Sequence, residues 1–119
     1  MSGKSKCRSD GGTVIAIYRV SLGKEQEFEQ LLERHHPTLL QLELVKEERP
    51  RVYRNLDEKG RSTYYEIFEW KDAKAAGGAH ENPEVMAVWD AMGKVVEERD
   101  GLPKYEFPHV QPITLSCGG

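Results

Sequence analysis

The chain has 119 residues, a formal charge of -3 and 31% charged residues, with both signs interspersed. That length suits one domain of ordinary size, and the small acidic excess gives no electrostatic reason to bind nucleic acid or an anionic membrane. No apolar run approaches the roughly 20 residues needed to span a bilayer, and the polar opening MSGKSKCRSDGG lacks the apolar core of a signal peptide, so a cytoplasmic protein is expected.

Residues 1–12 are rich in Ser, Gly and Lys without periodicity, which predicts a disordered tail. Residues 114–119 form a second tail, and one domain occupies 13–113. Cys7 and Cys117 sit in these tails without CxxC spacing. They read as free thiols, with a bridge between the tails as the alternative. The terminal Gly118-Gly119 is uninformative.

Thr13 to Ser21, TVIAIYRVS, is a β-branched run of strand length. Val14, Ala16, Tyr18 and Val20 share one face and Ile15 and Ile17 the other, so both faces are apolar, as in a central strand. After Leu22-Gly23 the period changes. Phe28, Leu31, Leu32, His35, Leu39 and Leu42 form a helical stripe, and Glu25, Glu27 and Glu29 suit the positive end of the helix dipole. Pro37 removes a backbone donor and predicts a kink or restart.

Val45 to Leu56 is charged and contains Pro50, which predicts an edge strand. Asp57-Glu58-Lys59-Gly60 is a hairpin turn, and Ser62 to Trp70 is the return strand. Tyr64, Glu66, Phe68 and Trp70 share one face; Thr63, Tyr65, Ile67 and Glu69 share the other, so this strand too is central. Lys71 to Glu81 reads as a loop. Asn82 is a good N-cap and Pro83 suits the first helical position. The helix carries Val85, Val88, Trp89, Met92, Val95 and Val96 and ends at Asp100-Gly101. Leu102 to Ile113, broken by Pro103, Pro108 and Pro112, is a second edge strand.

The order β-α-β-β-α-β is the ferredoxin-like α+β arrangement: an antiparallel four-stranded sheet with two helices on one face. Two helices cover only that face, yet the central strands are apolar on both. The simplest cover for the second face is a second copy, so a homodimer packed sheet to sheet as an α+β barrel is expected.

His80 leads the candidates for chemistry. It lies two residues before a helix cap, where the dipole disfavours a positive charge. A neutral imidazole can both donate and accept, as a general base or an orienting group must; the alternative is an ordinary loop histidine. Glu66, between Tyr64 and Phe68, is a poorly solvated carboxylate suited to relaying a proton, or else a partner for Arg19, Arg54 or Lys104. Glu66 and Glu69 face opposite ways and cannot act as a pair. His35 sits in the apolar stripe of the first helix and is expected to bond a neighbour; His36, about 100° away, is expected to face solvent. His109 shares a face with Tyr105 and Phe107. His-Glu-Asn-Pro-Glu is not a zinc-binding H-E-x-x-H, and no metal ligand set or cofactor is expected. Trp70, Trp89, Tyr18, Phe28 and Met86, with His35, read either as ordinary core or as the walls of a cavity for a flat hydrophobic or aromatic molecule.

The opening VIAIYRVSLGKEQEFEQLL, the strand end EIFEWKD, the histidine that follows it and HENPEVMAVWDAM resemble the antibiotic-biosynthesis-monooxygenase-like proteins of the dimeric α+β barrel superfamily. The resemblance runs from Thr13 to about Ile113 and implies the fold and the dimer. By position it matches His80 to the family's loop histidine and Trp70 to its strand-end aromatic. It implies cofactor-independent oxygenase, haem-degrading or isomerase activity, or none. Haem-degrading members carry an iron-ligating histidine on the second helix, where this chain has Val85, Met86, Val88 and Trp89; they also carry an asparagine on the first strand, where it has Tyr18 and Arg19. Two functions remain open: a cofactor-independent oxygenase or isomerase using His80 and Glu66, or a non-catalytic ligand-binding or interaction module on the same dimer.

Overall fold

The structure, a computed structural model, describes residues 12–111 and 113. The expected disordered tails, with Cys7 and Cys117, lie outside the described residues except for Gly12. An antiparallel sheet is built from β1 (Thr13–Val20), β2 (Arg51–Leu56), β3 (Ser62–Glu69), β4 (Tyr105–Glu106) and β5 (His109–Val110), with α1 (Glu25–Gln41), α2 (Ala75–His80) and α3 (Pro83–Gly93) between them. The strand order is β2-β3-β1-β4, and β5 also pairs with β1. The two strands apolar on both faces are therefore the two central ones. The fold is the ferredoxin-like α+β arrangement expected from the chain order.

β1 and β3 pair along their whole length, from Thr13 opposite Glu69 to Val20 opposite Ser62. Val14, Ala16, Tyr18 and Val20 are thereby aligned with Tyr64, Glu66, Phe68 and Trp70 on the face that α1 and α3 cover. All of these are buried, and Phe28, Leu31, Leu39, Val85, Val88 and Met92 from the helices join them. On the second face Ile15, Ile17, Tyr65 and Ile67 are only half-buried.

Several elements differ in extent from their sequence-based expectation. The charged second strand begins at Arg51, after Pro50, rather than at Val45; Val45 instead makes an isolated bridge with Trp70. The last edge strand is split in two because Pro108 has no N–H to donate, although its carbonyl still accepts from Ile15 at 3.1 Å. Pro37 lies within a helix that continues to Gln41, and the next residue, Thr38, returns its hydroxyl to the Arg34 carbonyl at 2.7 Å. The segment expected as a loop contains α2, whose Ala75 and Ala79 are buried. Two glycines and three alanines obscured its helical spacing, since small side chains give little hydrophobic contrast.

α3 begins as expected, with the Asn82 side chain accepting from the backbone N–H groups of Glu84 and Val85. It ends at Gly93, seven residues earlier than expected. Val95 and Val96 stay buried, but on a segment that returns to the sheet: Ser21 donates to the Val95 carbonyl at 2.8 Å and Glu97 to the Arg19 carbonyl at 2.8 Å. Asp100-Gly101 is the tight turn of that segment. Both residues have positive φ, 54° and 80°, which suits an Asp-Gly pair, and Arg99 and Leu102 exchange both backbone hydrogen bonds.

This turn presents Arg99 to the ends of the central strands. Its buried guanidinium donates to the carbonyls of Val20 at 2.8 Å and Ser62 at 3.1 Å, and pairs with Glu97 at 3.1 Å. Replacing Arg99 by Met removes these two charge-assisted hydrogen bonds to the strand ends, over and above the ladder bonds the carbonyls already accept, and is expected to destabilise the fold by about 3 kcal/mol. Urea denaturation of the two proteins measures this; a difference below about 0.5 kcal/mol would show that Arg99 does not clamp the strands.

Candidate functional site

Between the sheet and α3 lies a cavity of about 310 Å³, a size within the range of small-molecule sites. Its walls are mostly apolar: Val14, Tyr18 and Phe68 from the central strands, Trp70 just beyond them, and Met86, Trp89 and Met92 from α3. His35 reaches it from α1, His80 and Asp90 from α2 and α3, and Tyr105, Phe107 and His109 from the split edge. His80, Asp90 and these three edge residues are exposed, so they mark the mouth.

The innermost polar group is Glu66. Its side chain is 1% exposed, a position that a carboxylate occupies only if its oxygens are hydrogen-bonded. They are: His35 Nδ1 lies 2.9 Å from Oε1 and 3.1 Å from Oε2, and the Tyr18 hydroxyl donates to Oε1 at 3.0 Å. The Trp89 indole Nε1–H donates to His35 Nε2 at 2.8 Å. An indole can only donate, so Nε2 is the accepting nitrogen and Nδ1 carries the proton offered to Glu66. The order Trp89, His35, Glu66, Tyr18 thus joins α3, α1, β3 and β1 through one hydrogen-bonded chain. Burial first, and then the Glu66 charge beside it, hold the Tyr18 phenol well above its ordinary ionisation range; Tyr18 is a donor throughout neutral pH.

Tyr64 extends the polar layer towards the start of α1, where its hydroxyl donates to Glu29. Burial, followed by the bond to Glu29, raises its phenol to about 12. Phe28 packs between the two phenols, with ring centroids 4.9 Å from Tyr18 and 5.0 Å from Tyr64.

The cavity brings together six of the eight residues singled out in the sequence: Tyr18, His35, Trp70, His80, Met86 and Trp89. Two do not reach it. Phe28 is fully buried and does not line the cavity, because its position in the first turn of α1 places it over the middle of the sheet. Glu66 lies behind Tyr18 and His35 and meets the cavity only through them. Its partners are these two residues, not Arg19, Arg54 or Lys104; Arg19 pairs with Glu106 at 2.7 Å.

His80 ends α2, and its ring stands edge-on to Trp89 at 4.9 Å. The Trp70 indole N–H has no hydrogen-bond partner among the described residues. Phe68, Asp90, Tyr105, Phe107 and His109 were not picked out as site residues. The alternation of Tyr105, Phe107 and His109 on one strand face is the sequence signal that marks the mouth. His109 lines this cavity within its own chain.

His36 is buried rather than solvent-facing, and its Nε2 has no partner among the described residues. It follows Leu32 by four positions, so it lies within the broad apolar stripe even though it is a third of a turn from His35.

No protein-family model matches the chain, and no curated protein matches it in sequence. Solved structures do match in fold. A protein of Bordetella bronchiseptica classed as an antibiotic biosynthesis monooxygenase superposes with a TM-score of 0.68 at 15% identity, over 89% of this chain and 100% of that one. One of the same class from Nitrosomonas europaea gives 0.61 at 14% identity, over 92% and 95%. SnoaB, a cofactor-independent oxygenase from Streptomyces nogalater, gives 0.59 at 18% identity, over 91% and 99%. The chain therefore has the ferredoxin-like fold of the antibiotic-biosynthesis-monooxygenase structures. At such identities the likeness concerns the fold, and the chemistry has to be argued from this chain's own side chains.

Burial pushes the His36 imidazole below its ordinary value of 6.5; Glu66 opposes the shift and His35 adds to it. The unfolded chain then takes up this proton first, so the stability held by neutral His36 is complete above about pH 6.5 and is lost as pH falls through the lower folded value. His36→Gln is expected to flatten the decline of Tm between about pH 7 and pH 5. An unchanged slope would mean that other groups set the acid limit.

Proposed function

We propose that the chain is a monooxygenase-like small-molecule enzyme, a cofactor-independent oxygenase or an isomerase acting on a flat aromatic or hydrophobic metabolite. One observation carries this reading: a buried Glu66–His35 pair stands at the wall of an apolar cavity with a polar mouth. Both chemistries begin by removing a proton from an activated O–H or C–H group. The resulting anion then reacts with dioxygen or is protonated again at another carbon. His35 Nε2 is the base in this scheme, while Glu66 fixes the tautomer and stabilises the imidazolium as it forms. Tyr18 holds Glu66 in turn. Trp70, Trp89, Phe68 and Met86 grip the flat faces of the substrate, and His80 at the rim orients its polar end. Glu66 thus keeps the part of proton relay expected from the sequence, acting through His35, and the role of base passes from His80 to His35. The cofactor-independent oxygenase SnoaB has the same fold, which supports an oxygenase reading that invokes no bound cofactor.

A second reading, a non-catalytic binding module, draws support from Trp89, whose indole occupies the lone pair that a base would use. Oxygen uptake and absorbance changes with a panel of naphthols and anthrols separate the two. In the enzyme, His35→Gln is expected to lower kcat at least about 100-fold, whereas His80→Ala raises KM and largely spares kcat. Near-UV circular dichroism checks that both variants fold. Full turnover by His35→Gln would remove it as the base; binding of these rings with no turnover at all would favour the module.

The functional unit we propose is a homodimer. The support is the second face of the sheet, where Ile15, Ile17, Tyr65 and Ile67 form an apolar band while the helices occupy the opposite face. Sedimentation is expected to give twice the 13.6 kDa chain mass. Ile17→Glu buries an unpaired charge in that band and is expected to weaken association at least about 100-fold. A monomeric wild type at micromolar concentration would refute the dimer.

A further inference from the structure

In this arrangement the base is not free. The unprotonated nitrogen of His35 has a single in-plane lone pair, and the Trp89 indole N–H occupies it at 2.8 Å. Nδ1 is committed to Glu66 on the other side. The indole is itself part of the cavity wall and only half-buried. It is flanked by the edge-on His80 ring at 4.9 Å and carried on the middle of α3, next to Asp90 at the mouth. A molecule entering from the rim meets Trp89 before it can meet Nε2.

We propose that Trp89 is an exchangeable cap on His35: a ligand reaches Nε2 only by bringing its own O–H or N–H donor to replace the indole. This rests on the reading of His35 as the base. The exchange trades one N–H···N bond for one O–H···N or N–H···N bond, so neither Nε2 nor the buried Glu66–His35 pair is left unsatisfied during substitution. An aromatic ring without a donor fits the same walls but leaves the cap closed. Trp89 is therefore a positioning residue that selects ligands by hydrogen-bond donation as well as by shape, and it shields Nε2 from water while the cavity is empty.

The probes are 2-naphthol and 2-methoxynaphthalene, which share a ring system and differ in the donor. Titrations followed by ¹H–¹⁵N spectra of the Trp89 indole and the His35 side chain, assigned with Trp89→Phe and His35→Phe, read the cap directly. With 2-naphthol the Trp89 indole N–H resonance is expected to move as its bond to His35 is lost. With 2-methoxynaphthalene it is expected to stay, although cavity methyl signals of Met86 and Met92 shift. Trp89→Phe removes the competing donor and is expected to raise the naphthol-to-ether affinity ratio about tenfold. An indole resonance unmoved by bound naphthol, or an affinity ratio unchanged in Trp89→Phe, overturns the cap and leaves the enzyme reading to the turnover of His35→Gln. Failure of wild type to bind either ring overturns the cap and the aromatic-ligand reading together. If Trp89→Phe does not fold, the wild-type spectra decide the matter alone.

Discussion

The rest of the structure is arranged around a carboxylate that has no access to water. Glu66 occupies a central position of a central strand, where an aliphatic residue would fit with less cost. Burying a carboxylate is tolerable only if its oxygens are met by donors. Two elements besides its own supply them, α1 through His35 and β1 through Tyr18, and α3 closes the chain through Trp89. The helix layer is thereby tied to the sheet at a fixed rotation of α1, because only the face carrying His35 can satisfy Glu66. Removing one member of such a pair strands a buried charge, which costs roughly 3–5 kcal/mol. A buried ionisable pair beside a cavity is the arrangement that the proposed proton transfer needs.

The cavity follows from the same layer. α1 lies close over the sheet, with Phe28 wedged between Tyr18 and Tyr64. α3 packs on α1 and meets the polar chain only at Trp89, leaving space between its Met86 and Met92 and the end of the sheet at Phe68 and Trp70. On the open side the edge strand is too broken by proline to seal the gap, so Tyr105, Phe107 and His109 frame a mouth instead of a wall. Arg99 anchors the opposite end of the central strands. One end of the molecule is thus locked by charge-assisted hydrogen bonds to carbonyls, and the other is left accessible.

Much of the fold was legible because its signals are local. The two-faced apolar pattern of Thr13–Val20 and Ser62–Trp70 identified the central strands, and Pro50 and Pro108 identified the edges. Asn82-Pro83 located the start of α3 to the residue. Misjudged features depended on context. Val95 and Val96 continue a helical spacing yet belong to a segment pairing with the sheet, and Asp100-Gly101 serves a tight turn rather than a helix end. Ala75 and Ala79 are core residues that hydrophobic contrast could not reveal. His36 was misplaced because an angle measured from one neighbour says less than the width of the whole stripe.

The site divides along the same line. The sequence by itself determined the ferredoxin-like order, which strands are central and which residues share each strand face. It also placed most of the aromatic and histidine side chains on elements that meet at one end of the sheet, because alternation along a strand and spacing along a helix are set by backbone geometry alone. Only the tertiary structure decided that His35, rather than His80, shares its proton with Glu66, that Glu66 stays behind the wall, and that Trp89 covers the remaining lone pair. Those are contacts between residues 31 and 54 positions apart. They depend on the rotation and spacing of helices over a sheet, and no local pattern in the chain encodes them.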